Sequence, residues 1–315
     1  LLPDQCFTKL FQCLRKNFLF SPDAEITIEA NPGTLDESKV NTILSIGVNR
    51  LSVGIQSFHD SELRLLGRIH NSDEGFRAVE TIRNAGLENY SLDLMYGLPG
   101  QTPESWTDTL RKAVELSPSH ISTYELTPEK NTPLYELLQT HPFDEDIVLE
   151  MYDSAIDILS ASGYGHYEIS NFALPSYRCI HNLNYWDRGE YAGVGAGSHS
   201  FVRGYRARNI ADVGKYIDTL NIGIIPEEES MEVTPAESLK ELLFLGLRKT
   251  EGLNIESLDL AEFRSSGNKI DLFAASEDLI AEGYMELNGD YLRLTRKGIV
   301  VSNTIIVKLF ENLGL

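Results

Sequence analysis

The chain has 315 residues, of which 42% are hydrophobic and 23% charged, and its formal net charge is −20. That acidity excludes a long nucleic-acid backbone and disfavours an anionic membrane surface, because both are held by Lys and Arg. No apolar run reaches membrane-spanning length, so an integral membrane segment is also excluded.

The length exceeds one ordinary domain, so a large core domain with a smaller companion is expected. The opening Leu1-Leu2-Pro3-Asp4-Gln5 has neither the basic nor the apolar region of a signal peptide. The expected location is therefore the cytoplasm, or an organelle in a eukaryote. Cys6, Cys13 and Cys179 are too few and too scattered for a disulfide framework.

Residues 5–17 carry Phe7, Leu10, Phe11 and Leu14 at helical spacing. Cys6 and Cys13 share one face of that helix and read as buried or idle thiols rather than ligands. Residues 25–30 alternate as a strand, ended by Asn31-Pro32-Gly33. Asp36 opens a helix that Gly47 closes. Strands follow at 50–55, 90–96 and 120–126, separated by helices at 73–85 and from Pro103, a favourable first helical residue. Four strands alternating with helices imply right-handed crossovers and a parallel sheet or barrel.

From Asp144 a long helix runs to Gly163. The segment from Tyr164 to Phe201 then gathers three of the seven histidines, Cys179 and Trp186 into a stretch read as an aromatic, amide-rich loop. Residues after Phe201 look linker-like as far as the acidic Glu227-Glu228-Glu229, with Pro226 and Pro235 marking a boundary. The remainder reads as three helices (ESLKELLFLGL, IESLDLAEF, KIDLFAASEDLIAEG), two strands joined by Gly289-Asp290, and a last helix. That is the order of a winged-helix module. The three parts are 1–135, 136–225 and 226–315.

Polar residues cluster at the carboxyl ends of the strands: Glu29 and Asn31, Gln56, Asp93, Glu125. Ligands bind at this edge in α/β sheets and barrels, although each residue could instead cap the next helix. Arg68 either brings a positive charge to the same place or is an exposed helix residue. His166, His181, His199, Glu168 and Cys179 could build a metal site, but no HxH pair occurs, which counts against a zinc hydrolase. There is no GxSxG elbow, and the glycines at 193, 195 and 197 lack nucleotide-loop spacing. A His donor beside Tyr and Trp faces suits an iron porphyrin.

The segments ITIEANPGTL, NRLSVGIQSF with LLGRIH, LDLMYGLPGQT, HISTYELTPEKNTPLY, HYEISNFA, CIHNLNYW and EYAGVGAGSHSF occur in an order that resembles the oxygen-independent coproporphyrinogen III oxidase family of radical S-adenosylmethionine (radical SAM) proteins. The likeness is greatest to its haem-chaperone branch. It implies an α/β fold, a partial (β/α) radical SAM-type barrel of parallel strands with a C-terminal winged-helix-like α+β module. It also implies binding of S-adenosylmethionine at the carboxyl edge, with Glu29, Gln56, Arg68 and Asp93 contacting the methionine and ribose portions. HNLNYW matches the HNxxYW signature of the branch, which makes His181 the candidate axial ligand of haem iron, with Tyr185 and Trp186 beside it.

The family's CxxxCxxC cluster motif and GGGTPS loop do not occur in this sequence. On the resemblance, the chain is expected to be N-terminally truncated and to lack the first strands, with the [4Fe–4S] cluster belonging to a full-length form only. The expected function is haem chaperoning: binding haem and passing it to haem-accepting proteins. Two alternatives stand beside it: radical oxidative decarboxylation of coproporphyrinogen III propionates, and a truncated isoform with a binding role only. Oligomeric state is not legible.

Overall fold

A computed structural model describes residues 3–140, 144–256 and 271–315. The chain divides into two compact units, Leu1–Arg178 and Cys179–Leu315.

In the first unit the elements run α1 (Asp4–Asn17), β1 (Thr27–Ala30), α2 (Glu37–Ser45), β2 (Arg50–Gln56), α3 (Asp60–Leu65), α4 (Ser72–Asn84), β3 (Tyr90–Tyr96), α5 (Pro103–Glu115), β4 (His120–Glu125), α6 (Pro133–Thr140), α7 (Glu145–Ala161), β5 (Gly165–Glu168) and β6 (Asn171–Ala173). They form a six-stranded sheet in the order β1-β2-β3-β4-β6-β5. The first four strands are parallel, and the β5–β6 hairpin joins antiparallel at the β4 edge. The parallel α/β architecture expected from the alternation is therefore present.

Helix starts follow local chemistry. The Asp36 carboxylate accepts from Lys39 N at the head of α2, and α4 and α5 open with capping boxes at Asn71 and Thr102, the latter with Pro103 as first helical residue. α3 was not anticipated: at six residues it is too short to show a helical period.

Strand alternation gives the sheet two unlike faces. Leu51, Val53, Ile55, Leu92, Leu94 and Ile121 are at most 1% exposed and form the apolar face. α4 packs there through Gly75, where an added Cβ would lie 3.4 Å from Ile55 Cδ1. α5 buries Trp106, whose indole N–H donates to Met151 O in α7 at 2.8 Å. Trp106→Ala would cost about 3–5 kcal/mol in lost burial and cavity formation. The alternate residues, Ser52, Gly54, Ser91, Asp93, His120 and Ser122, make the other face polar.

α1 holds Cys6 half-buried and Cys13 exposed, so of the two thiols read as buried or idle, Cys13 is not buried. Its helix buries Phe11 and leaves most other positions to solvent.

The second unit contains α8 (Ile180–Trp186), β7 (His199–Val202), β8 (Tyr205–Asn209), α9 (Val213–Asn221), β9 (Glu227–Glu232), α10 (Pro235–Gly246), β10 (Leu253–Asn254), α11 (Leu272–Ala281), β11 (Met285–Asn288), β12 (Tyr291–Leu294), α12 (Arg296–Val300) and α13 (Ser302–Leu313). Two readings are corrected here. HNLNYW is helical, not a loop. Residues 202–226, read as linker-like, contribute the central strand β8 of an antiparallel β7-β8-β9 sheet and the helix α9. β8 and β9 are charged strands that pair across the ladder, with Arg208 Nη2 2.9 Å from Glu229 Oε1 and 3.1 Å from Glu228 Oε2.

In the terminal part, Leu239 and Leu243 of α10, Leu279 of α11, Leu292 of β12 and Leu309 of α13 are almost fully buried, and β11 and β12 form the expected hairpin within a β10-β12-β11 sheet. Most of the helix expected over 255–263 lies outside the described residues.

Candidate functional site

β1, β2 and β3 are neighbouring parallel strands, and their residues Glu29, Ala30, Ser52, Gly54, Gln56 and Asp93, with Asn31 and Arg68 from outside the strands, enclose a cavity of 310 Å³. All four residues expected to hold S-adenosylmethionine thus face one cavity at the carboxyl edge.

The positions follow from register. Glu29 pairs with Ser52, Ser52 with Ser91, and Asp93 with Ser122. Between Val53 and Gln56 the β2–β3 register shifts, and Gln56 takes φ +66°. A bulged strand end in the left-handed region is costly for a non-glycine residue and re-aims its side chain. The surrounding structure holds it: His70 Nε2 lies 3.2 Å from Ile55 O, and burial lowers the His70 pKa, keeping the ring neutral. Arg68 lies in the turn after α3, half-buried and off any helix, and its Nη1 donates to Asn31 Oδ1 at 3.1 Å.

Asp93 accepts from Ser52 Oγ at 2.9 and 3.0 Å on its two oxygens. Burial raises its pKa; the Ser52, Ser122 and Ser91 hydroxyls and the Arg50 charge oppose that rise. Tyr124 on β4 is pushed up to about 12, by burial first and then by the charges of Asp93, Glu168 and Glu29.

Ser52 and Gly54 were missed at the sequence level. They precede Gln56 by four and two residues, so strand alternation alone places all three on one face. Gly54 keeps the floor open: a Cβ there would lie 2.8 Å from Gln56 Nε2 and 3.4 Å from Asn31 Oδ1.

This donor set fits an adenosyl ligand. Carboxylates accept ribose hydroxyls, an amide both accepts and donates, and a guanidinium pairs with an α-carboxylate. It does not fit an iron–sulfur cluster. The cysteines are Cys6, Cys13 and Cys179, and among the described residues no group of three His, Cys, Asp or Glu side chains is placed to hold a metal ion. The five residues considered for a transition-metal site are not assembled: His166 stacks on Phe172 with centroids 4.4 Å apart, and Glu168 accepts from Asn171.

In the second unit, α8 places His181 and Tyr185 four residues apart, hence on one face. The imidazole meets Tyr185 edge-on at 4.8 Å between centroids, and Tyr185 lies 4.7 Å from Tyr191. Burial, with Tyr191 beside it, raises the Tyr185 pKa. His181 itself is exposed. Trp186 Nε1 is buried without a hydrogen-bond partner. Next to this cluster, Tyr185, Arg188, Tyr191, Phe201, Arg206 and Phe244 line a cavity of 260 Å³, in which Glu241 binds Arg188 at 2.9 Å and Arg206 at 2.7 Å. His199 is an exposed residue of β7. An exposed imidazole in edge contact with one tyrosine ring has the donor chemistry to ligate a porphyrin iron.

Residues 2–113 match the model of the radical SAM superfamily, and residues 233–301 match that of the HemN C-terminal domain. The heme chaperone HemW of Bacillus subtilis strain 168 is 36% identical over 310 residues, covering 96% of this chain and 81% of that protein. The mouse radical S-adenosyl methionine domain-containing protein 1, mitochondrial, is 34% identical over 311 residues, covering 92% and 69%. Among solved structures, the coproporphyrinogen III oxidase HemN of Escherichia coli, a radical SAM enzyme, matches with a TM-score of 0.79 at 22% identity over 98% of this chain and 74% of that one, a likeness of fold.

Proposed function

The chain belongs to the HemW family within the radical SAM superfamily, and from that premise we propose that it is a haem chaperone, which binds haem through His181 and delivers it to a haem-accepting protein. The observation that carries this reading is the α8 cluster, an exposed imidazole held edge-on by Tyr185.

On this reading His181 would supply the nitrogen ligand, and Tyr185 and Trp186 would offer ring surface to the macrocycle. When bound, haem supplies the iron that imidazole ligates. The polar cavity of the first unit takes S-adenosylmethionine: Asp93 and Glu29 accept ribose hydroxyls, while Gln56 and Arg68 hold the methionine end. Among the described residues no set of cysteines is placed to hold a [4Fe–4S] cluster. Among the described residues no helix is long and apolar enough to cross a membrane. We place the protein in the cytoplasm or, in a eukaryote, in an organelle.

The test is haem titration followed by mixing with a haem-free acceptor. Transfer of the Soret band from this protein to the acceptor is expected. Oxidation of coproporphyrinogen III propionates by the cluster-bearing form would replace the chaperone reading with that of a decarboxylating enzyme.

A further inference from the structure

Behind Asp93 the polar face of the sheet continues inward as a chain of buried groups outside the cavity lining. Ser91 and His120 are 0% exposed and Tyr167 2%. Ser91 Oγ lies 3.3 Å from Asp93 Oδ1 and 2.8 Å from His120 Nδ1, and His120 Nε2 lies 2.8 Å from the Tyr167 hydroxyl. The strands impose this order, since Ser91 pairs with both Ser52 and His120 across β2-β3-β4.

The chemistry of the ends settles the direction of the chain. A carboxylate accepts and cannot donate, and a charge-assisted bond draws the single hydroxyl proton of Ser91 toward Asp93. The Ser91 oxygen then accepts from His120, whose Nδ1 carries the ring proton. The bare Nε2 accepts from Tyr167. Burial, assisted by the Arg50 charge, depresses the His120 pKa to about 3, so the ring has one proton to place.

We propose that Ser91, His120 and Tyr167 are positioning residues for Asp93, a one-way hydrogen-bond relay that fixes the orientation of its carboxyl group as an acceptor for the ribose hydroxyls of an adenosyl ligand. The proposal rests on reading the cavity as an adenosyl site. Ser52 holds the carboxylate at the mouth of the cavity, and the relay holds it from behind. Tyr167 anchors the far end from the β5–β6 hairpin, which gives that antiparallel addition to the parallel sheet a role in the site.

Two measurements test it. In protein labelled with 15N-histidine, long-range 1H–15N correlation at pH 7 is expected to show His120 as the neutral Nδ1–H form, with the signal identified by its loss in His120→Asn. Tyr167→Phe is expected to move the population toward Nε2–H. An Nε2–H ring in the unsubstituted protein, or no response to Tyr167→Phe, overturns the relay.

The second compares S-adenosylhomocysteine with its 2′,3′-dideoxy counterpart by calorimetry. Ser91→Ala is expected to weaken the first about tenfold, the loss of one charge-assisted bond, and to leave the dideoxy compound unchanged. Equal weakening of both, or of neither, overturns the positioning role. If the unsubstituted protein binds the two compounds equally, the adenosyl reading of the cavity fails, and the proposed role of the relay fails with it.

Discussion

The His181 imidazole stands edge-on to Tyr185 one helical turn away, with ring centroids 4.8 Å apart and an interplanar angle of 83°. That contact fixes the ring direction while His181 stays exposed. His181→Ala is therefore expected to weaken haem binding about tenfold or more, on the scale of one lost metal bond. His199→Ala, in β7, is expected to leave it unchanged. Parallel Soret titrations check this, and equal shifts in the two variants would remove the ligand assignment.

Gly54 sets the size of the polar cavity of the first unit. The side chain of alanine there would meet Gln56 Nε2 and Asn31 Oδ1, both cavity-lining groups. Asn31 is already engaged by Arg68, so it has little room to yield. Gly54→Ala is expected to lower S-adenosylhomocysteine affinity about tenfold or more while the far-ultraviolet circular dichroism spectrum stays unchanged. Retention of full affinity would show that the ligand does not enter past Gln56.

Much of the first unit could be read from the sequence because its signals are local. Strand alternation, the helix starts at Asp36 and Pro103 and the polar strand ends are each written in a few neighbouring residues. Ser52 and Gly54 were equally accessible, since they share a strand face with Gln56, but small residues do not announce a ligand. The relay was not accessible: His120 and Tyr167 are 47 residues apart and meet only because β6 and β5 add to the β4 edge.

In the second unit polarity misled. Asn182 and Asn184 are poor helix formers, yet α8 forms, and its i, i+4 pair of aromatic rings is the better signal. β8 and β9 look like solvated linker because their side chains are charged, whereas those charges pair across the strands.

Glu62 of α3 ties together the segment after β2, the segment before α5 and α5 itself. Its Oε2 accepts from Ser57 Oγ at 2.5 Å and from Gln101 Nε2 at 3.1 Å, and its Oε1 accepts from Ser105 Oγ at 2.8 Å. Ser57 directly follows the strained Gln56. Glu62→Ala removes the acceptor shared by Ser57, Gln101 and Ser105, of which Gln101 Nε2 keeps Met95 O and Ser105 Oγ keeps Thr102 O, and is expected to destabilise the fold by about 2 kcal/mol, with Glu62→Gln costing about half as much. Urea unfolding checks the order. If the alanine variant were as stable as the parent, water would have to satisfy these donors, and the residue would have no structural role.

His120 also sets how stability responds to acid. The ring has its ordinary pKa of 6.5 when unfolded and about 3 in the fold, lowered first by burial and then by Arg50. Between those values the unfolded chain binds a proton that the native state refuses, so stability falls as pH drops from 6.5 toward 3, and above 6.5 it is unaffected by this group. The slope is about 1.4 kcal/mol per pH unit. Asp93 works in the opposite sense, because its pKa is raised in the fold and the native state takes up its proton first as pH falls. Replacing His120 by Asn removes the histidine contribution and leaves that of Asp93. Unfolding free energies measured between pH 6.5 and 4.5 are thus expected to decline more steeply for the unsubstituted protein than for His120→Asn. Parallel declines would mean that the native ring takes up its proton as readily as the unfolded one, and that burial does not hold it neutral.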